Sequence, residues 1–134
     1  QEEPVYDLTG HRGEVLSLVV APDGKTLASS AFSGDLRLWD LSTGALIESI
    51  KVSQKPVTSL SFGSDGRFLA AKAADNNVSI WRCADWEPVA VLSERHSSFA
   101  FAGLAFHPTE PVLATLGERD KVVRIWDLDY AAWD

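Results

Sequence analysis

Apolar and polar residues alternate over short stretches along the whole chain, and clusters of Gly, Pro, Asp and Ser separate the stretches. Residues 15–20, 57–62 and 101–106 are of strand length and rich in β-branched and aromatic side chains, which predicts three opening strands. Asp23-Gly24 and Asp65-Gly66 supply tight hairpin turns after the first two. After the third, Pro108 and Pro111 do the turning. A second strand follows over 26–29, 68–71 and 112–115, with seven residues each time from the end of the first strand to a leucine: Val20 to Leu27, Phe62 to Leu69, Phe106 to Leu113. The third strand reads Leu36-Arg37-Leu38-Trp39-Asp40, then Val78-Ser79-Ile80-Trp81-Arg82, then Val123-Arg124-Ile125-Trp126-Asp127. A fourth is predicted over 45–50 and 88–92, and residues 129–134 read as a helical turn or a frayed tail.

The tryptophans lie 42 and 45 residues apart, an interval that marks internal repeats of one structural unit. The expected fold is therefore all-β, with three four-stranded antiparallel meanders at 9–50, 51–93 and 94–134, the last lacking its fourth strand. Residues 4–8 read as a stray fourth strand with no unit before it, so the chain begins with the strand its end lacks. The strands are apolar on both faces, which predicts that each small sheet is covered by its neighbours.

The formal net charge of −7, from 19 acidic and 12 basic residues, argues against nucleic-acid or anionic-membrane partners, since both need basic patches. No apolar run approaches the roughly 20 residues that span a bilayer. Gln1-Glu2-Glu3-Pro4 lacks the basic head and apolar stretch of a signal peptide. Cys83 is the single cysteine, can form no internal disulfide, and fits a reducing, cytoplasmic setting. A chain without methionine reads as a fragment or a processed product.

These registered repeats resemble the WD-repeat β-propellers over nearly the whole chain; Gly10-His11, Pro22-Asp23-Gly24 and Trp39-Asp40 make unit one the fullest match. The resemblance implies propeller blades and a structural hydrogen-bonded set of His, Ser, Asp and Trp in each. Carried over, the set is His11, Ser17 and Trp39 in unit one, with Ser33 where Asp is expected. Unit two offers Ser59, Asp75 and Trp81, with Ser53 in place of His, and unit three His96, Asp120 and Trp126, with Gly103 in place of Ser. Propellers have about four to eight blades, so three leave an incomplete ring with two uncovered faces. Either the chain is part of a longer propeller or copies associate to close the ring.

Catalytic chemistry finds little support. The His, Ser and Asp residues are better placed as buried hydrogen-bonding groups than as a nucleophilic triad. His11, His96 and His107 share no metal-ligand spacing, the Gly-containing turns lack the lysine of a phosphate loop, and Cys83 has no base beside it in sequence. No catalytic residue, metal or cofactor is expected. The repeated tryptophans read as core between blades, each worth about 3–5 kcal/mol on truncation to alanine. Trp86 is expected to be partly exposed and Trp133 to pack the tail onto a blade.

The resemblance further implies a non-catalytic platform that binds a protein or peptide at one face. The binding positions it implies are Glu14, Leu16 and Phe32 in unit one, Pro56, Thr58 and Ala74 in unit two, and Ala100, Ala102 and Arg119 in unit three. Glu14, Phe32 and Arg119 carry the binding chemistry there: an acid, an aromatic anchor and a bidentate cation. The alternatives are a sensor or regulatory segment of a larger multidomain enzyme, or a purely structural ring-forming module acting as a homo-oligomer.

Overall fold

The alternating stretches form strands in the order the sequence dictates. A computed structural model describes residues 2–93, 103–117 and 122–134. The first sheet contains β1 (Val15–Val20), β2 (Thr26–Ala31), β3 (Asp35–Asp40) and β4 (Leu46–Lys51). The second contains β5 (Val57–Phe62), β6 (Phe68–Ala73), β7 (Asn77–Arg82) and β8 (Glu87–Ser93). The third contains β9 (Leu104–Phe106), β10 (Val112–Gly117) and β11 (Val122–Asp127), followed by a short helix α1 (Tyr130–Trp133). In each sheet consecutive strands pair antiparallel, a simple meander.

The seven-residue interval has a structural cause. Leu27 stands opposite Trp39, Leu69 opposite Trp81 and Leu113 opposite Trp126. Directly opposed residues share a face and pack together, so the spacing fixes the same Leu–Trp pair in every blade.

The second sheet is sandwiched between the other two. Leu36, Leu38 and Ala28 of the first sheet meet Leu60, Leu69 and Trp81 of the second. On its other side, Phe68, Ala70, Val78 and Ile80 meet Leu113 and Leu128, with Trp126 packed against them. Every residue of β6 is buried, as expected for an inner strand of the covered sheet.

The outer faces repeat the same positions without a cover. Leu36, Leu38, Val78 and Ile80 are fully buried, but their counterparts Val123 and Ile125 on β11 are 60% and 66% exposed. Likewise Leu60 is buried, whereas its counterpart Leu18 on β1 is 63% exposed and neighbouring Val20 is 51% exposed.

Residues 4–8 form no strand. A fourth strand here would complete a sheet only where a ring closes, and the three sheets of a single chain leave that junction open. Tyr6 anchors instead on the β3–β4 turn: its hydroxyl donates to the Ser42 carbonyl at 2.7 Å and its ring lies against Gly44. The tail is helical and docks on the second sheet, as Tyr130 and Trp133 lie 4.7 and 5.5 Å from Phe68 between ring centroids. Among the described residues, no helix is long and apolar enough to cross a membrane.

Candidate functional site

The hydrogen-bonded set of unit one is built around Ser29, not Ser17. Trp39 Nε1 donates to Ser29 Oγ at 2.8 Å, and the same oxygen lies 2.6 Å from His11 Nε2. Pairing explains the correction. Ser17 opposes Ser30, whose hydroxyl donates to the Val57 carbonyl, so both point toward the second sheet. Ser29 lies on the other face, with Trp39. The His11 and Trp39 rings meet edge to face at 6.3 Å, and the Arg37 guanidinium stands 5.9 Å over the indole. Burial, followed by the charge of Arg37, holds the His11 pKa below its ordinary value against a smaller upward pull from Asp35. This environment suits a neutral imidazole.

The other units differ in the same residue. Ser59 opposes Lys72, on the face away from Trp81, and Ala71 stands where Ser29 stands in unit one. Trp81 therefore has no hydroxyl from that position. In unit three, Thr115 fills it, accepting from Trp126 Nε1 at 2.8 Å. His96 and Asp120 lie outside the described residues.

Turn aspartates tie the loops at this end of the blades. Asp75 Oδ2 accepts from Ser53 Oγ at 2.8 Å and Asp75 Oδ1 from the Asn77 amide at 3.0 Å, linking the β4–β5 connection to the β6–β7 turn. Unit one uses Asp35 instead, a residue the sequence reading missed. Its carboxylate is buried and accepts from Arg12 and Ser33, each at 3.0 Å, with Lys51 Nζ 3.8 Å away. Burial pushes the Asp35 pKa up, but these hydrogen bonds and the charges of Arg12 and Lys51 outweigh it and hold the carboxyl low. The available signal was the pair Arg12 and Asp35, each next to a position already singled out.

The same end carries the predicted partner residues. The Phe32 amide donates to the Glu14 carbonyl at 2.8 Å, and Ala74 bonds Pro56 in the same way at 2.8 Å. Two predicted pairs are thus brought together in successive blades. Phe32 is 57% exposed despite its size. With Pro56, Ala74 and Lys55 it lines an apolar recess of about 260 Å³. Lys55 was not among the predicted residues. Leu16 is exposed at the bulge of β1, and Thr58 Oγ1 donates to the Lys72 carbonyl at 3.4 Å. Ala100, Ala102 and Arg119 lie outside the described residues.

Other candidates take structural places. His107 is exposed, and its Nδ1 accepts from the amides of Thr109 and Glu110 at 3.1 and 2.9 Å, closing a turn. Cys83 is half-buried; desolvation, then the nearby Asp23 and Asp65 charges, push its thiol up to about 12.

Comparison with known proteins agrees with this geometry. The repeat described as "WD domain, G-beta repeat" matches residues 2–40, 44–82 and 86–127. An uncharacterized WD repeat-containing protein of Synechocystis is 31% identical over 123 residues, covering 92% of this chain and 34% of its own length. Pre-mRNA-processing factor 19 of Caenorhabditis elegans is 29% identical over 132 residues, covering 96% and 26%. The structure of the RRP9 WD40 repeats superposes with a TM-score of 0.83 at 23% identity, over 90% of this chain and 37% of that one. The chain spans about a third or less of the curated relatives it matches. With three registered repeats, a recurring Leu–Trp pair and blade-like sheets, the chain belongs to the WD40 family of β-propeller repeats.

Proposed function

We propose that the chain is a non-catalytic platform that holds a protein or peptide partner at the end carrying Glu14 and Phe32. WD40 repeats generally serve as protein-interaction scaffolds, and the observation that carries the reading here is Phe32. A large aromatic 57% exposed beside a recess is the kind of anchor that dominates binding energy at interfaces. Glu14 beside it and Lys55 on the recess wall suit a peptide with an apolar side chain flanked by charge. The acidic balance of the chain supports a protein partner over nucleic acid, and the single cysteine supports a reducing, cytoplasmic setting.

Peptide display against this chain tests the reading. Selected peptides should lose at least about tenfold in affinity to a variant combining Phe32→Ala, Glu14→Gln and Arg119→Ala. Undiminished binding would remove the assignment of this end.

A structural, ring-completing role is a second reading, favoured by the exposed Leu18, Val123 and Ile125, whose counterparts Leu60, Leu36 and Leu38 are buried at the junction of the first two sheets. A second copy would set one copy's third blade against another's first, and further blades of a longer chain would do the same covalently. Light scattering separates the two: a stable, folded monomer of 14.6 kDa would exclude the copy-to-copy form.

A further inference from the structure

At the end opposite Phe32, the first two sheets part around a recess of about 530 Å³. The first turns of both sheets and the β7–β8 turn form its walls, and Asp134 adds the chain's tail. Two observations point to what enters it.

The first is Trp86. It sits in the β7–β8 turn with φ +58°, where the first sheet has Gly44 at φ +78°. Both residues close the turn with the same 2.7 Å bond, Gly44 to the Asp40 carbonyl and Trp86 to the Arg82 carbonyl. A bulky L residue rarely takes this conformation, and glycine or asparagine would close the turn without strain. Here the strain sets an indole in the wall of the recess, partly packed against the core between the two sheets.

The second is charge. The two cations of the wall are already engaged. Arg67 pairs with Asp65 at 2.7 Å and Asp134 at 2.6 Å, while Arg82 pairs with Asp85 at 2.7 Å and donates to the Trp133 carbonyl at 2.9 Å. Asp23, also in the wall, accepts only the Lys25 amide at 2.9 Å and joins no ion pair among the described residues. Desolvation first, and then the Asp23 and Asp65 charges, raise the pKa of the Cys83 thiol in the same wall.

We propose that this recess binds the side chain of an arginine carried by a partner protein, its guanidinium stacked on the Trp86 indole and paired with the Asp23 carboxylate. A guanidinium is planar, weakly hydrated and able to stack while it donates in its own plane, properties an ammonium lacks. Apolar wall residues such as Phe62 and Ala21 accommodate the aliphatic stem, as long cationic side chains require. The site is separate from the Phe32 end and stands or falls without it.

The test is a titration of the 134-residue chain with acetyl-Gly-Arg-Gly-amide and with its citrulline counterpart, which keeps the shape and loses the charge. Amide and indole NMR shifts locate and quantify binding. The expected result is saturable shifts at Asp23, Cys83 and Trp86 with the arginine peptide, and binding at least about tenfold weaker with citrulline. Trp86→Gly restores the residue type found at Gly44, so the turn should persist while binding drops at least about tenfold. Asp23→Asn keeps the oxygen that accepts the Lys25 amide and should weaken binding to a similar degree. Absence of saturable shifts, equal binding of citrulline, shifts confined to the Phe32 end, or full affinity in Asp23→Asn would each overturn the proposal.

Discussion

Trp39 and Ser29, ten residues apart on neighbouring strands, are joined by a 2.8 Å bond from indole N–H to hydroxyl, and Trp126 and Thr115 repeat it at 2.8 Å two blades later. The bond holds a buried donor that otherwise lacks a partner, which costs about 1–3 kcal/mol. Ser29→Ala should therefore destabilise the chain by about that amount, and Ser17→Ala by about 1 kcal/mol or less. Urea melts of the two variants check the contrast, and equal losses would return the role to Ser17.

The His11 site predicts a sensitivity to acid. Because its folded pKa lies below the ordinary 6.5, the unfolded chain takes up protons first as pH falls. The stability this group contributes is present above about 6.5 and is lost as pH falls toward the folded value. Asp35, also depressed, acts in the same direction at lower pH, its contribution disappearing below the ordinary 3.8. Thermal melts should show a midpoint that falls between about pH 7 and 5.5, and falls less in His11→Gln. Identical slopes in the two proteins would count against a half-buried, neutral imidazole.

Gly34 predicts a position intolerant of any side chain. It has φ +90°, and a Cβ there would collide with the Ser53 carbonyl oxygen in the connection between the first two sheets. Left-handed strain and the clash together give Gly34→Ala a cost of about 2–5 kcal/mol. Gly24 has φ +73° but nothing within 4 Å of its would-be Cβ, so Gly24→Ala should cost only about 1–2 kcal/mol. Denaturant midpoints of the pair separate crowding from conformation.

Cys83 should be inert in the folded chain. With the thiol pushed up to about 12, its thiolate fraction near pH 8 is about a thousandfold below that of an ordinary thiol. Reaction with a chromogenic disulfide reagent should be slow in buffer and fast in urea. Fast reaction under native conditions would show that the thiol is not shielded.

Much of the fold was legible because each blade states it in residues. The alternation of residues 15–20 and 57–62, the Asp-Gly turns and the repeated Trp interval all report local pairing, and local pairing is what a meander is made of. The site was less legible because it depends on which face a residue takes. Ser17 and Ser29 are both small hydroxyls near a strand, and only the pairing of Ser17 with Ser30 shows that it points away from Trp39. A bulge between Val15 and Ser17 interrupts the register at that point, so simple alternation from Val15 cannot assign the face. Asp35 and Lys55 escaped for a related reason: each sits one or two residues from a position the repeat pattern marks, and its role comes from a neighbouring loop. Residues 4–8 form no strand within one chain because a strand needs an edge, and the junction that would supply theirs forms only where a ring closes.

The repeat and the sheet do not share boundaries. The matched repeats end on the tryptophan strands, near residues 40, 82 and 127, whereas each complete sheet runs one strand further, so β4 and β8 begin the next repeat while completing the previous sheet. Every such sheet is therefore woven from two copies. A duplication or deletion of one whole repeat would join strands of different copies into one sheet across the scar instead of leaving a loose module.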